Sequence, residues 1–273
     1  MPSGVNLGDR LRRVASRQHP LVKELRRALA SGQPTADGCV AVEGVHLVEE
    51  AIRAGARFRA LMFAASAEDA ARRLLPQIGA QVETLAVPDD VFRSLTATET
   101  PQGVAALARL KTYTLSQLLE IPEPLFVLLH ALQDPGNLGT VLRSAEAFGA
   151  SAVLLGENSV SPFNSKAVRA SAGSLFRLPV VNVALEEALA ALRARGVRCL
   201  ASSSHKGTPA DQARLWGPLA LVIGSEAAGL PRRLLAQMDE VVAIPHSPRV
   251  ESLNAGVAAS ILLYEAARQR RTA

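Results

Sequence analysis

Cysteine, lysine, aromatic residues and long apolar runs are all scarce in this 273-residue chain. Its two cysteines, Cys39 and Cys199, stand far apart without CxxC spacing, so they read as reduced structural thiols rather than a disulfide framework or a metal site. No apolar run is long enough to cross a bilayer, and "MPSGVNLGDRLRRVASRQ" lacks an apolar segment of signal-peptide type, so a cytoplasmic protein without membrane contact is expected. Only four of its 30 basic residues are lysines, Lys23, Lys111, Lys166 and Lys206. Aromatics make up 4% of the chain, and Trp216 with the few others forms no stacking platform from which base recognition could be read. No Walker loop and no GxGxxG fingerprint occurs, which disfavours a nicotinamide-dependent oxidoreductase. His46, His130, His205 and His246 have no metal-ligand spacing.

What is present is a core and a positive charge. The apolar fraction of 48% supports real cores, and the length suits two domains of ordinary size. The net charge is +5 and the pI about 9.7, carried mostly by Arg, whose planar fork grips phosphate; a GC-rich genome would leave the same bias. The stretch "RLRRVASRQHPLVKELRRALASG" has helical spacing and crowds seven basic residues together, as a polyanion-binding surface or a solvated helix face. Strands and helices then alternate to about residue 110, which predicts a compact α/β domain with no clustered acid–base set. Residues 111–123 read as a linker with a short helix. From 124 to 273 a second α/β series predicts a mostly parallel sheet covered by helices, with helices expected at 138–149, 164–174, 185–195, near 231–237 and at 252–270.

In such sheets ligands bind beyond the carboxyl ends of the strands, and three of these exits carry unusual residues. After "LFVLLHAL", Pro135-Gly136 turns the chain and Asn137 is a candidate N-cap for the next helix. Gly139 there permits close backbone approach, with Arg143 one turn further on. After "ALVIG" come Gly224, Ser225, Glu226 and Gly229. After "VVAIP" comes "HSPRVESLNAGVAAS", where Ser252-Leu253-Asn254 opens the last helix with more polar chemistry than a cap requires.

Together, Asn137-x-Gly139-x-x-x-Arg143, Gly224-Ser225-Glu226-x-x-Gly229 and Ile244-Pro245…Ser252-Leu253-Asn254 closely resemble the SpoU-type RNA ribose methyltransferases of the SPOUT superfamily. "SKAVRASAGSLFRLPV" resembles a further segment of that family. "SRQHPLVKELRRAL", "VEGVHLVEEA" and "TETPQGVAAL" resemble the small substrate-binding domain, similar to a ribosomal protein, that many members carry. Departures are small: His19 stands where relatives often have Asn, and Ala255-Gly256 replaces a commoner pair.

The resemblance implies a Rossmann-like parallel sheet with a deep trefoil knot at 124–273, and an α/β RNA-binding domain at 1–110. It implies S-adenosylmethionine as cofactor, held by Gly224, Ser225, Glu226, Gly229, Ile244, Pro245, Ser252, Leu253 and Asn254. Catalysis is expected from Arg143, Asn137, Glu226, Ser252 and Asn254. The family reading gives Arg143 the proton of the ribose 2′-hydroxyl; a guanidinium stays protonated to very high pH, so binding phosphate and orienting the 2′-oxygen is the physically easier role. Ser252 and Asn254 would orient the ribose and this Arg, Asn137 would shape the pocket, and Glu226 would fix its loop. A homodimer through the last helix is expected, with Leu253, Val257, Ile261 and Tyr264 along one side. Ribosomal RNA is favoured as substrate, with transfer RNA, or a non-catalytic RNA-binding clamp, as alternatives.

Overall fold

The computed structural model describes residues 10–204, 206–225 and 228–272. The chain divides into two compact units, Met1–Lys111 with Phe163–Phe176, and Thr112–Pro162 with Arg177–Ala273. In the first unit, β1 (Arg12–Arg13), α1 (Pro20–Ser31), β2 (Val40–Glu43), α2 (Val45–Arg53), β3 (Arg57–Ala64), α3 (Glu68–Leu74), β4 (Glu83–Val87), α4 (Asp89–Arg93) and β5 (Val104–Arg109) follow in order. The strands form one sheet in the order β1-β4-β3-β5-β2. It is mixed: β1, β4 and β3 run parallel, whereas β5 runs antiparallel to β3 and β2.

The basic N-terminal stretch is not one helix. His19 precedes a proline and is held at ψ 135, outside the helical region, so α1 starts only at Pro20. Upstream, Arg12 and Arg13 pair with Leu85 and Ala86 as an edge strand that helical spacing had hidden. Part of the positive charge is also spent internally. Arg17 meets Asp90 at 2.7 Å, Arg12 meets Glu83 at 3.7 Å, and Arg26 donates to the Ser94 carbonyl at 2.9 Å.

The second unit opens with the expected short linker helix, α5 (Leu115–Leu118), capped reciprocally by Thr114 and Gln117. It continues through β6 (Leu125–Leu129), α6 (Pro135–Ala147) and β7 (Ala152–Leu155). The chain then leaves the sheet for α7 (Ser165–Ala170), which packs in the first unit, before returning as β8 (Val180–Asn182). That excursion is closely fitted: a Cβ on Gly32 would lie 2.8 Å from the Asn164 Cα. The remaining elements are α8 (Leu185–Ala194), β9 (Arg198–Ser203), β10 (Thr208–Pro209), β11 (Leu219–Ile223), α9 (Arg232–Leu235), β12 (Glu240–Ala243) and α10 (Ala255–Arg270).

All neighbours in the seven-stranded sheet, β10-β12-β9-β11-β6-β7-β8, are parallel, as expected. Its central strands "LFVLL" and "LALVI" are buried along their whole length, the pattern of a sheet covered on both faces. The strand order reverses beside β6, so a crevice opens at the carboxyl ends there. Helix α10 is bolted at its far end: Arg270 donates to the carbonyls of Glu123 at 2.9 Å and Pro124 at 3.0 Å, and Gln269 to that of Ala213 at 3.0 Å. No helix among the described residues is long and apolar enough to cross a membrane.

Cys39 and Cys199 are both buried. Burial, with Asp239 second, pushes the Cys199 thiol up to about 11, and burial with Asp37 raises Cys39. Neither is expected to react with a disulfide reagent at pH 8 in the native protein, whereas both should react in guanidinium. A fast-reacting thiol in the native chain would overturn this packing.

Candidate active site

Four strand exits build the site. At the end of β11, Gly224 is buried, and a Cβ on it would lie 2.3 Å from the Gly229 carbonyl carbon. Only glycine fits, because Ser225 and Gly229 close on each other through paired backbone hydrogen bonds of 3.2 and 2.9 Å. Glu226, expected to fix this loop, lies outside the described residues, as does His205. At the end of β12, the Ile244 carbonyl meets the Nδ1 of His246 at 2.7 Å. Helix α10 then begins at Asn254, whose side chain accepts from the Val257 amide at 3.1 Å.

These segments enclose a cavity of about 240 Å³. Gly224, Ser225, Gly229, Ile244, Ser252, Leu253 and Asn254 all line it. So do Ser202, Ser203 and Ser204, which sequence reasoning passed over. They close β9 just as the recognised motifs close β11 and β12, so the strand-exit rule applied to a run of serines was the available signal. Ala258 and Leu262 of α10 complete the lining, another contribution not foreseen. Pro245 and Arg143 do not line the cavity.

At the exit of β6 the cap is Asp134 rather than Asn137. The Asp134 carboxylate accepts from the Asn137 amide at 2.8 Å, and Pro135 takes the first helical position, so α6 starts one turn earlier than expected. That leaves the Asn137 side chain for another partner: its Oδ1 accepts from the Asn254 Nδ2 at 2.8 Å. The contact begins a seam between α6 and α10. A Cβ on Gly256 would lie 3.2 Å from the Thr140 side chain. Ser144 and Ser260 hydroxyls meet at 2.6 Å, and the Phe148 and Tyr264 rings pack edge to face at 5.7 Å. Arg143 flanks this seam, exposed and without a hydrogen bond or ion pair among the described residues.

Among the described residues the cavity lining contains no Asp, Glu, Lys or Arg. Its walls are Val242, Ile244, Leu253 and Leu262, with hydroxyls from the serines. The Leu253 amide and carbonyl make no hydrogen bond among the described residues. Apolar walls beside free backbone donors and acceptors suit the ring and the edge of a purine, so these residues fit an adenosyl group.

Comparison with known proteins settles the kinship. Residues 124–264 match the SpoU rRNA Methylase family, and residues 19–106 match the MRM3-like substrate binding domain. The chain belongs to the SpoU family. It is 31% identical over 254 residues to a 23S rRNA (guanosine(2553)-2′-O)-methyltransferase of Bacillus subtilis, covering 93% of this chain and 98% of that one. The crystal structure of an AdoMet-bound rRNA methyltransferase from Sinorhizobium meliloti superposes with a TM-score of 0.81 at 29% identity, covering 95% and 98% of the two chains. The SpoU methyltransferase AviRb from Streptomyces viridochromogenes, in complex with AdoMet, gives 0.82 at 29% identity over 93% of this chain and 99% of that one.

The double use of Asn254 in this SpoU protein separates two substitutions. Asn254→Ala removes the helix cap and the bridge to Asn137, and should cost about 1–2 kcal/mol of stability. Asn137→Ala removes the bridge alone and should cost less than about 1 kcal/mol. Thermal denaturation of the two variants side by side checks this order, and equal losses would overturn the capping role.

Proposed function

We infer that the chain is an S-adenosylmethionine-dependent RNA 2′-O-ribose methyltransferase acting on ribosomal RNA. The observation that carries this reading is the cavity at the exits of β9, β11 and β12, closed by the residues that open α10. When bound, S-adenosylmethionine supplies a methyl group made electrophilic by its sulfonium. The loop at Gly224 and the free backbone of Leu253 hold the adenosyl group, with Ile244 as an apolar wall. Ser252 and Asn254 face the ribose from the rim, and Asn137 fixes the Asn254 amide by the bond described above. The Arg143 side chain has no partner among the described residues, so its fork can grip an RNA phosphate and orient the 2′-oxygen for in-line attack. Glu226 belongs to the same loop as Gly224 and Ser225, and fixing that loop is its proposed part.

The match over 19–106 supports assigning RNA selection to residues 1–110, joined by a linker at 111–123 to a methyltransferase domain at 124–273. Family membership also supports a trefoil knot through which β12 and α10 are threaded, and ribosomal RNA as a substrate supports a cytoplasmic location. A second copy of the chain is the proposed partner of α10. Val257, Ile261 and Tyr264, 45%, 37% and 49% exposed, form an uncovered apolar stripe at helical spacing. Leu253, expected on the same side, instead lines the cavity.

Arg143→Ala should lower single-turnover methylation at saturating RNA by about a hundredfold or more, about 2.7 kcal/mol of transition-state stabilisation, with S-adenosylmethionine affinity nearly intact. Arg143→Lys should rescue little, because charge without the planar fork does not orient. Near-normal turnover of the Ala variant would remove Arg143 from the mechanism. Ile261→Glu places a carboxylate in the middle of the stripe and should give monomers by light scattering at micromolar concentration. An unchanged dimer would move the interface elsewhere.

A further inference from the structure

A second cavity lies in the first unit and has no part in the methyl-transfer site. It is a groove of about 940 Å³ between the edge strand β1 and helix α3. Strands β1, β3 and β4 run parallel, and the groove opens where all three end, at Val14–Ala15, Ala64–Ala65 and Val87–Pro88. That is the placement at which open α/β sheets hold ligands. Its floor is apolar and shallow-sided: Val14, Phe63, Ala71 and Val87 are buried, and Ala65 and Ala86 leave space where larger side chains would fill it.

The charges at its mouth are unequal. Glu68, its only acidic residue among the described ones, is engaged by Arg72 at 2.5 Å. Arg13 lines the groove and is exposed, and its side chain makes no hydrogen bond or ion pair among the described residues. Its neighbours Arg12 and Arg17 are by contrast paired with Glu83 and Asp90. The groove therefore offers an apolar floor beside one guanidinium that is uncommitted among the described residues. The guanidinium selects an anion, and the floor selects a planar or apolar body attached to it. A double helix presents phosphates but keeps its bases stacked inside, so it cannot use such a floor; an unpaired nucleotide with its base turned out can use both parts.

We propose that this groove binds an unpaired nucleotide of the RNA substrate, distinct from the nucleotide that is methylated, with Arg13 on its phosphate. The assignment rests on the RNA methyltransferase reading and adds a second recognition point to it. The groove would hold the RNA in register and take no part in the chemistry, so its variants should change affinity and leave turnover alone.

The test uses the full-length protein, an unmodified ribosomal RNA transcript, and the variants Arg13→Ala, Arg13→Lys and Ala65→Trp. Both positions are exposed, so the variants should melt with the wild type. Arg13→Ala should bind the transcript about tenfold more weakly, with a log–log salt slope shallower by about 0.7. Arg13→Lys should restore the slope. Ala65→Trp should weaken binding with the slope unchanged, because it closes the floor and keeps the charge. In all three, KM for RNA should rise or hold while kcat at saturating RNA and S-adenosylmethionine affinity stay at wild-type values. Wild-type affinity and slope in both Arg13→Ala and Ala65→Trp, with methylation intact, would overturn the groove assignment alone. Failure of the wild type itself to bind or methylate the transcript would overturn the functional reading, and this proposal with it.

Discussion

Parallelism of the seven-stranded sheet is the constraint on which this molecule depends. Parallel neighbours cannot be joined by tight turns, so every strand must be followed by a crossover that brings the chain back. All carboxyl ends then share one edge, and the loops leaving them converge whether or not they are near in sequence. Gly224, Ile244 and Leu253 line one cavity for this reason, and Ser202–Ser204 join them from β9. The first unit repeats the constraint on a smaller scale with its three parallel strands.

That same constraint made much of the fold legible. A strand buried on both faces is an unbroken apolar run, as in "LFVLL" and "LALVI", and such runs alternating with helical spacing leave little freedom in architecture. The strand exits at 224–229 and 244–254 stood out by their glycines and polar residues, and it was the resemblance to SpoU-type enzymes that named them as candidate cofactor residues. Less was legible where a residue's role depends on a partner distant in sequence. Asn137 has the chemistry of a cap, and only the position of Asp134 frees it to meet Asn254.

Two features were illegible for different physical reasons. Strand β1 carries no alternation of its own, since it is two arginines that pair with β4 through the backbone, helped by the ion pair of Arg12 with Glu83. Its existence is decided by an available sheet edge and by Pro20, which stops the helix from extending back. The excursion at Phe163–Phe176 reads as one more helix in the second series, yet it packs with the first unit. Close fits such as Gly32 against Asn164 decide that membership, and small residues carry no periodic signal. Charge behaved similarly: the basic run was visible as a cluster, but which arginines remain uncommitted depends on where Asp90 and Glu83 arrive.

The seam between α6 and α10 has a consequence for the order of events during synthesis. Asn254, Ala258 and Leu262 contribute to the cavity wall, and α10 docks against Thr140, Ser144 and Phe148 along its length. The strands from β6 to β11 are made earlier, but without α10 the cavity lacks one wall. The wall that completes the cavity is thus among the last parts of the chain to be made, so the cavity closes only when synthesis is nearly finished.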